Sequence, residues 1–473
     1  MLSRTGLNVE EITAEFDGAS LGDARLDDRL RRIVAMASVA PSDSFPDQME
    51  SVADREALYR FLANPKVTMR SVLQGHVEQT HARIQTRSVV RVVHDTTTFR
   101  FSGERAGLGL IRGGAKGFLG HVALAVAPDE TREPLGVLGV HPFIHRDAMA
   151  HCGMTRAQRV AASRSKPREA RESSRWERLA MEVSGALPAN VRAIHIMDQE
   201  ADDYHLLAKL HQAGLGFVVR ACPERRTMTA GERAKDVLAK KSATVFRAVR
   251  LTPRSGRKAV VSRSGHPARA ERRATLQIRW DRITIKRERQ AQSKVHELSF
   301  WAVHVFEPRP PRGEEPIEWM LFTSETVNTL ADATDIVDHY RSRWIIEEYF
   351  KALKTGCSFE KRQLTTYEGL VRALAIFAPL AWRLLALRHL ARASRPRPAS
   401  GLLEDEQLLL LRTLLAKRRY ALPVDPTVYD AMLGIAALGG HIKNNGDPGW
   451  LVIGRGFTRF VEAEAVWRLA RQI

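Results

Sequence analysis

The chain has 473 residues, 44% of them apolar, which excludes a disordered chain and leaves room for two or three domains. Lysine and arginine number 73 against 54 acids, a net charge of +19, so a polyanionic partner, most often nucleic acid, is expected, with a merely basic soluble protein as the alternative. The three cysteines, Cys152, Cys222 and Cys357, form no CxxC pair, which argues against a disulfide framework or zinc cluster and suits a reducing cytoplasm.

Residues 1–75 read as a small helical module. Leu26, Leu30, Ile33, Val34 and Ala37 recur at helical spacing, Arg25, Arg29 and Arg32 fall among the polar positions, and Asn64-Pro65 marks a turn after Arg60. The pattern then becomes β-branched. SVVRVVHDTTTF (88–99), GHVALAVA (120–127) and EPLGVLGVHPFI (133–144) read as strands. A polar, arginine-rich stretch leads to a helix around SRWERLAMEVSGAL. The strand VRAIHIMDQEAD (191–202), a helix over ADDYHLLAKLHQAG and the strand GFVVRAC follow. This order suits a mixed α/β sheet with helices on its faces. His145, His151 and Cys152 lie close in sequence, but without a second ligand pair no metal is expected there.

Asp95 lies near the end of the first of these strands and Asp198 ends the fourth, the place where α/β sheets tend to put ligand sites. Taken singly, each reads first as a turn or cap aspartate. Residues 222–322 break the alternation. Between 247 and 294 there are 15 lysines and arginines and only three acids, and short runs such as ATLQIRW and RITIK suggest a basic, strand-rich insertion. IEWMLFTS is a further strand. ALAIFAPLAW (373–382), flanked by Arg372 and Arg383, is too short to span a bilayer and is expected as a core helix; the N-terminus shows no signal-peptide core. ASRPRPASG (393–401) reads as a linker before a helical C-terminal region.

YRSRWIIEEYFKALKTG (340–356) reads as one helix. On it Tyr340, Arg343, Glu347, Lys351 and Lys354 form one stripe, and Ile345, Ile346, Tyr349, Phe350 and Leu353 form an apolar one. Glu347, rather than Glu348, is then the carboxylate bracketed by cations. A solvated ion-pair ladder would look similar, so this helix alone leaves the matter open.

The spacing Tyr340, Arg343, Glu347, Lys354 matches the Y-x2-R-x3-E-x6-K signature and resembles bacterial insertion-sequence DDE transposases, most of all the Tn-five transposase. HDTTTF and MDQEADDY resemble the family's two catalytic strands; LGDARLDDRL and YRFLANPKV resemble its DNA-binding region; WIIEE, KALKTG and the LGG near residue 439 continue the likeness. The resemblance implies a ribonuclease H-like catalytic core (76–392) interrupted by the β-rich insertion, a helical DNA-end-binding region (1–75) and a helical dimerisation region (393–473). It implies Asp95, Asp198 and Glu347 as catalytic carboxylates for two Mg²⁺ ions, with Mn²⁺ as a substitute. Tyr340, Arg343, Lys354 and Lys351 would hold DNA phosphates, and Trp319 would receive an extruded base. Arg220 would stand near the active site, and Arg25, Arg29 and Arg60 would contact the DNA end. The implied activity is cut-and-paste transposition: binding of terminal inverted repeats, double-strand cleavage through a hairpin, and joining to target DNA by a homodimer at the nucleoid, with no membrane partner. A nuclease or resolvase that cleaves without joining, and a DNA-binding protein without catalysis, are the rival readings.

Overall fold

The computed structural model describes residues 9–471 except 112–113, 145–153, 156–157, 159–160, 163–164, 166–170, 225–230, 252, 254–267, 288–292, 394–396, 419 and 443–446. His145, His151 and Cys152, and much of the basic stretch, therefore lie outside the described residues. The chain divides into two compact units: Met1–Ser165 with Gly185–Val191 and Trp344–Ile473, and Lys166–Ser184 with Arg192–Arg343.

The first unit begins with helices α1 (Val9–Ala14), α2 (Ala24–Val39), α3 (Phe45–Gln48), α4 (Val52–Ala63) and α5 (Met69–Ile84). Side chains define their starts: Asp23 accepts from the Arg25 N–H, Ser51 from Asp54, and Thr68 forms a capping box with Ser71. The apolar face of α2 is buried through Leu30, Ile33, Val34 and Ala37, as its spacing predicts. Helix α5 runs straight through residue 75, where the sequence suggested a boundary. Strands β1 (Val89–Phe101), β2 (Gly109–Leu110), β3 (Lys116–Val126) and β4 (Pro134–Phe143) follow, antiparallel in the order β2-β3-β1 with β4 on β3.

The second unit holds α6 (Ser174–Ala186), β5 (Arg192–Met197), α7 (Tyr204–Gln212), β6 (Gly216–Ala221), α8 (Ala234–Ala239), β7 (Thr244–Leu251), β8 (Arg272–Lys286), β9 (Glu297–Phe306), β10 (Glu318–Thr323) and α9 (Leu330–Arg341). Its strands run β5-β6-β10-β9-β8-β7; β5 and β6 are parallel and the rest antiparallel. The expected insertion thus extends one sheet beyond β10. ATLQIRW and RITIK are one strand, not two. Asp281, between the two runs, pairs with Lys241 at 2.9 Å while its backbone keeps register opposite Ala302.

Back in the first unit come α10 (Trp344–Lys351), a π turn over Ala352–Gly356, α11 (Tyr367–Ala393), α12 (Asp405–Ala416), α13 (Val428–Leu438) and α14 (Trp450–Ala470). Helix α11 is long and apolar enough over Tyr367–Arg392 to cross a membrane, but 89% of that window is buried inside the protein, and Pro379 sits within it. It packs on α4, α5 and β4 as a core helix. Gly456 has no room for a side chain: a Cβ there would stand 1.9 Å from the Ile435 carbonyl, so α13 and α14 touch backbone to backbone.

The expected single helix over 340–356 is interrupted twice. Helix α9 ends at Arg341, where the Ser342 hydroxyl donates to the His339 carbonyl in competition with the next helical turn, and α10 starts only at Trp344. The Cys357 N–H then bonds the Ala352 carbonyl at 2.8 Å, five residues back, which defines the π turn. The apolar stripe survives these breaks: Ile346, Tyr349, Phe350 and Leu353 are buried.

Candidate active site

Two groups of the expected residues assemble, one in each unit. In the second unit Asp198 follows the last residue of β5 and accepts from the Glu200 N–H at 2.9 Å, capping a short turn. It is therefore a cap as well as a strand-end carboxyl. Burial raises its pKa, against the pull of Arg343 and Arg175. Tyr340, at the end of α9, is buried; its phenol is pushed up by burial while Arg343 and Arg220 oppose the rise, and it shares a hydrogen bond with Arg220. Arg220 sits on β6 opposite Leu321 of β10. Trp319, on β10, meets Tyr340 edge-on with centroids 5.4 Å apart. Asp198, Arg220, Arg343, Tyr340 and Trp319 thus form a connected set: a half-buried carboxyl faced by guanidinium groups, lined by a phenol and an indole.

In the first unit Asp95 stands midway along β1, not near its end, because the strand runs on to Phe101. Its carboxylate accepts the Thr96 N–H at 2.7 Å. Helix α10, which carries Glu347, packs against β1. Lys354, in the π turn, donates to the Thr98 carbonyl at 2.6 Å, lies 5.5 Å over the Phe99 ring and stands 3.9 Å from Glu360. Burial lowers its pKa. Lys351 does not bracket Glu347; it pairs with Glu348 at 2.7 Å, and Arg388 of α11 holds the same carboxylate at 2.9 Å. Glu348 is thus a structural anchor for α10.

The N-terminal arginines are spread over the helices. Arg25 is exposed and paired with Asp23 at 3.1 Å; Arg60 is exposed, 3.7 Å from Glu56; Arg29 is half-buried on α2. One aromatic escaped the sequence reading. Trp344, between Arg343 and Glu347, is 54% exposed, and an exposed indole beside a charged motif is itself a signal for base stacking.

Asp95, Asp198 and Glu347 offer oxygen atoms only, which suits a hard divalent cation. The half-buried Asp198 carboxyl, whose ionised form burial disfavours, would gain from such a charge. Among the described residues, however, no three or more His, Cys, Asp or Glu side chains gather into a metal-binding group.

Residues 11–67 match the family model described as transposase DNA-binding, and residues 180–379 match that of the transposase DDE domain. Together these matches define a DNA-binding enzyme of transposition. The DDE-domain match supports a DNA transposase, and DDE transposases use divalent metals. Asp198, Arg220, Trp319, Tyr340, Arg343, Glu347 and Lys354 fall within the DDE-domain match, and Asp95 lies outside it. The cryo-EM structure of a piggyBac transposase synaptic complex with hairpin DNA is similar at 11% identity over 88% of this chain and 81% of that one, with a TM-score of 0.36.

Proposed function

We propose that this DNA transposase performs cut-and-paste transposition of the insertion-sequence type marked by the Tyr340–Arg343–Glu347–Lys354 signature, with Asp95, Asp198 and Glu347 as its catalytic carboxylates. The observation that carries the reading is the set around Asp198, where a half-buried carboxyl at a strand end meets Arg343, Tyr340 and Arg220 within a matched DDE domain. Magnesium held by the carboxylates would offset charge on the scissile phosphate and acidify the attacking water or 3′-hydroxyl. Arg343 and Arg220 would bind phosphate oxygens, and the Tyr340 phenol shares a hydrogen bond with Arg220. Trp319 offers an aromatic face edge to a DNA base turned out of its stack during hairpin formation. The ribonuclease H-like core, the terminal inverted repeats as substrate, two metal ions per site, a synaptic homodimer built through the C-terminal region and a nucleoid location belong to the same proposal, on the strength of the sequence resemblance.

The test uses a plasmid carrying the gene with its flanking DNA, purified protein and Mg²⁺. Asp95→Asn, Asp198→Asn and Glu347→Gln are each expected to abolish nicking while binding the flanking DNA as the parent does. Mg²⁺-dependent cleavage by any one of them would remove that residue from the set. Joined products from a pre-cut end separate transposition from simple nuclease action.

A further inference from the structure

Arg362 is a buried cation, and among the described residues no carboxylate hydrogen-bonds it, Asp43 acting on it only through its charge. Its guanidinium lies 4.2 Å from the Phe377 ring centroid on α11 and 4.9 Å from that of Phe45 on α3. It donates to three main-chain carbonyls: Cys357 at 2.7 Å, Pro41 at 2.6 Å, and Asp43. Burial lowers its pKa to about 10, which leaves it charged at neutral pH.

The positions of those carbonyls matter. Pro41 and Asp43 belong to the α2–α3 connection, inside the matched DNA-binding segment 11–67. Cys357 closes the π turn that contains Lys354. The next residue, Ser358, holds the left-handed conformation at φ 47°, which costs a side-chain-bearing residue energy and persists only where surroundings enforce it. Arg362, four residues on, holds the Cys357 carbonyl just before it. Between the two, Glu360 accepts the Arg100 N–H of β1 at 2.8 Å. Segment 352–362 is therefore pinned to β1 at one side and to the DNA-binding region at the other.

We propose that Arg362 is a positioning residue that registers Lys354 against β1 according to the placement of the DNA-binding region, so that end recognition and the phosphate-holding lysine share one rigid connection. This rests on the reading that Lys354 holds DNA phosphate. A guanidinium is suited to the task because its planar fork reaches several carbonyls while its faces stack on rings; an ammonium cannot do both.

The test compares Arg362→Met and Arg362→Lys with Arg372→Met. Arg372 also ties α11 to the DNA-binding region, through the carbonyls of Val67 and Leu62, but makes no such bond to the π turn. Two quantities are read well below each variant's melting temperature: the acylation rate of Lys354 by an amine-reactive ester, followed by mass spectrometry, and plasmid nicking at saturating protein. Arg362→Met should speed Lys354 labelling about fivefold or more and slow nicking about tenfold or more, with Arg362→Lys intermediate. Arg372→Met should lower the melting temperature and leave both near the parent values. Labelling unchanged in Arg362→Met, or changed equally in Arg372→Met, would overturn the positioning role; should Arg362→Met fail to fold, Arg362→Lys decides by the same labelling criterion. If labelling responds but Lys354→Gln nicks normally, the positioning stands and the phosphate role of Lys354 falls.

Discussion

Glu15 offers the most quantitative forecast. It stands on the turn after α1, is buried, and meets two partners on α5: the His76 Nδ1 at 2.5 Å and the Arg83 guanidinium at 2.5 Å. The Val137 N–H of β4 donates to the His76 Nε2 at 2.9 Å, so Nδ1 carries the proton and donates to Glu15. Burial alone would raise the Glu15 pKa, yet His76 and Arg83 bring it down to about 2 from 4.5. That gap is worth roughly 3 kcal/mol of folding free energy at neutral pH. Its sign follows from the depressed value: the contribution is complete above pH 4.5 and is lost as pH falls towards 2. His76 acts in the same direction, since burial lowers its pKa and the unfolded chain takes up a proton below pH 6.5 that the folded imidazole refuses. Glu15→Gln keeps the shape and removes the charge. At pH 7 it should bring the local opening of β4 and α5 closer by about 3 kcal/mol, which is about a 100-fold faster amide exchange in peptides containing Val137. Hydrogen–deuterium exchange with mass spectrometry, repeated between pH 5 and 8, measures this directly. Wild-type exchange rates in the variant would refute the reasoning.

Glu348→Gln removes the charge partner of Arg388 and Lys351, so thermal unfolding should shift down by a few degrees while nicking stays within about threefold of the parent; a loss of nicking as deep as that of Glu347→Gln would exchange their roles. Trp319→Ala should slow hairpin formation more than the first nick, seen on a gel that separates the products; equal slowing would make it a packing residue for Tyr340. Reversing the exposed Arg273 and Arg282 of β8 to Glu should weaken DNA binding and reduce its salt slope by about 2. Unchanged affinity at fixed salt would exclude that strand as a DNA surface.

Local patterns reported themselves well. The β-branched run of β1, the strand β5 that stops just before Asp198 and the buried helix around Pro379 all lie where periodicity and composition put them. What escaped depends on partners distant in sequence or on single atoms. The break before Trp344 turns on one serine hydroxyl, in a segment whose residues otherwise favour a helix. The continuity of β8 through Asp281 needs Lys241, 40 positions earlier. Nothing near Glu348 announces Arg388, so the choice between neighbouring glutamates rested on a stripe that the π turn interrupts. The Glu15–His76 bond spans 61 positions and leaves no local trace.

The π turn also bears on how this protein tolerates changes in length. A π turn holds one residue more than the α-helical turn it replaces, so loss of a single residue between Ala352 and Gly356 would let α10 continue as a plain α-helix. The five residues of the π turn sweep about the rotation that four sweep in an α-helix, so the chain after such a deletion would keep its orientation, Arg362 included. The residues left in the turn would be redistributed, and Lys354 would lose the bulge that presents it to the Thr98 carbonyl. A single-residue deletion across 352–356 should thus be tolerated by the fold better than one inside the regular helix α11, and an ancestral form of this helix would be recognised by a gap, not by a different residue.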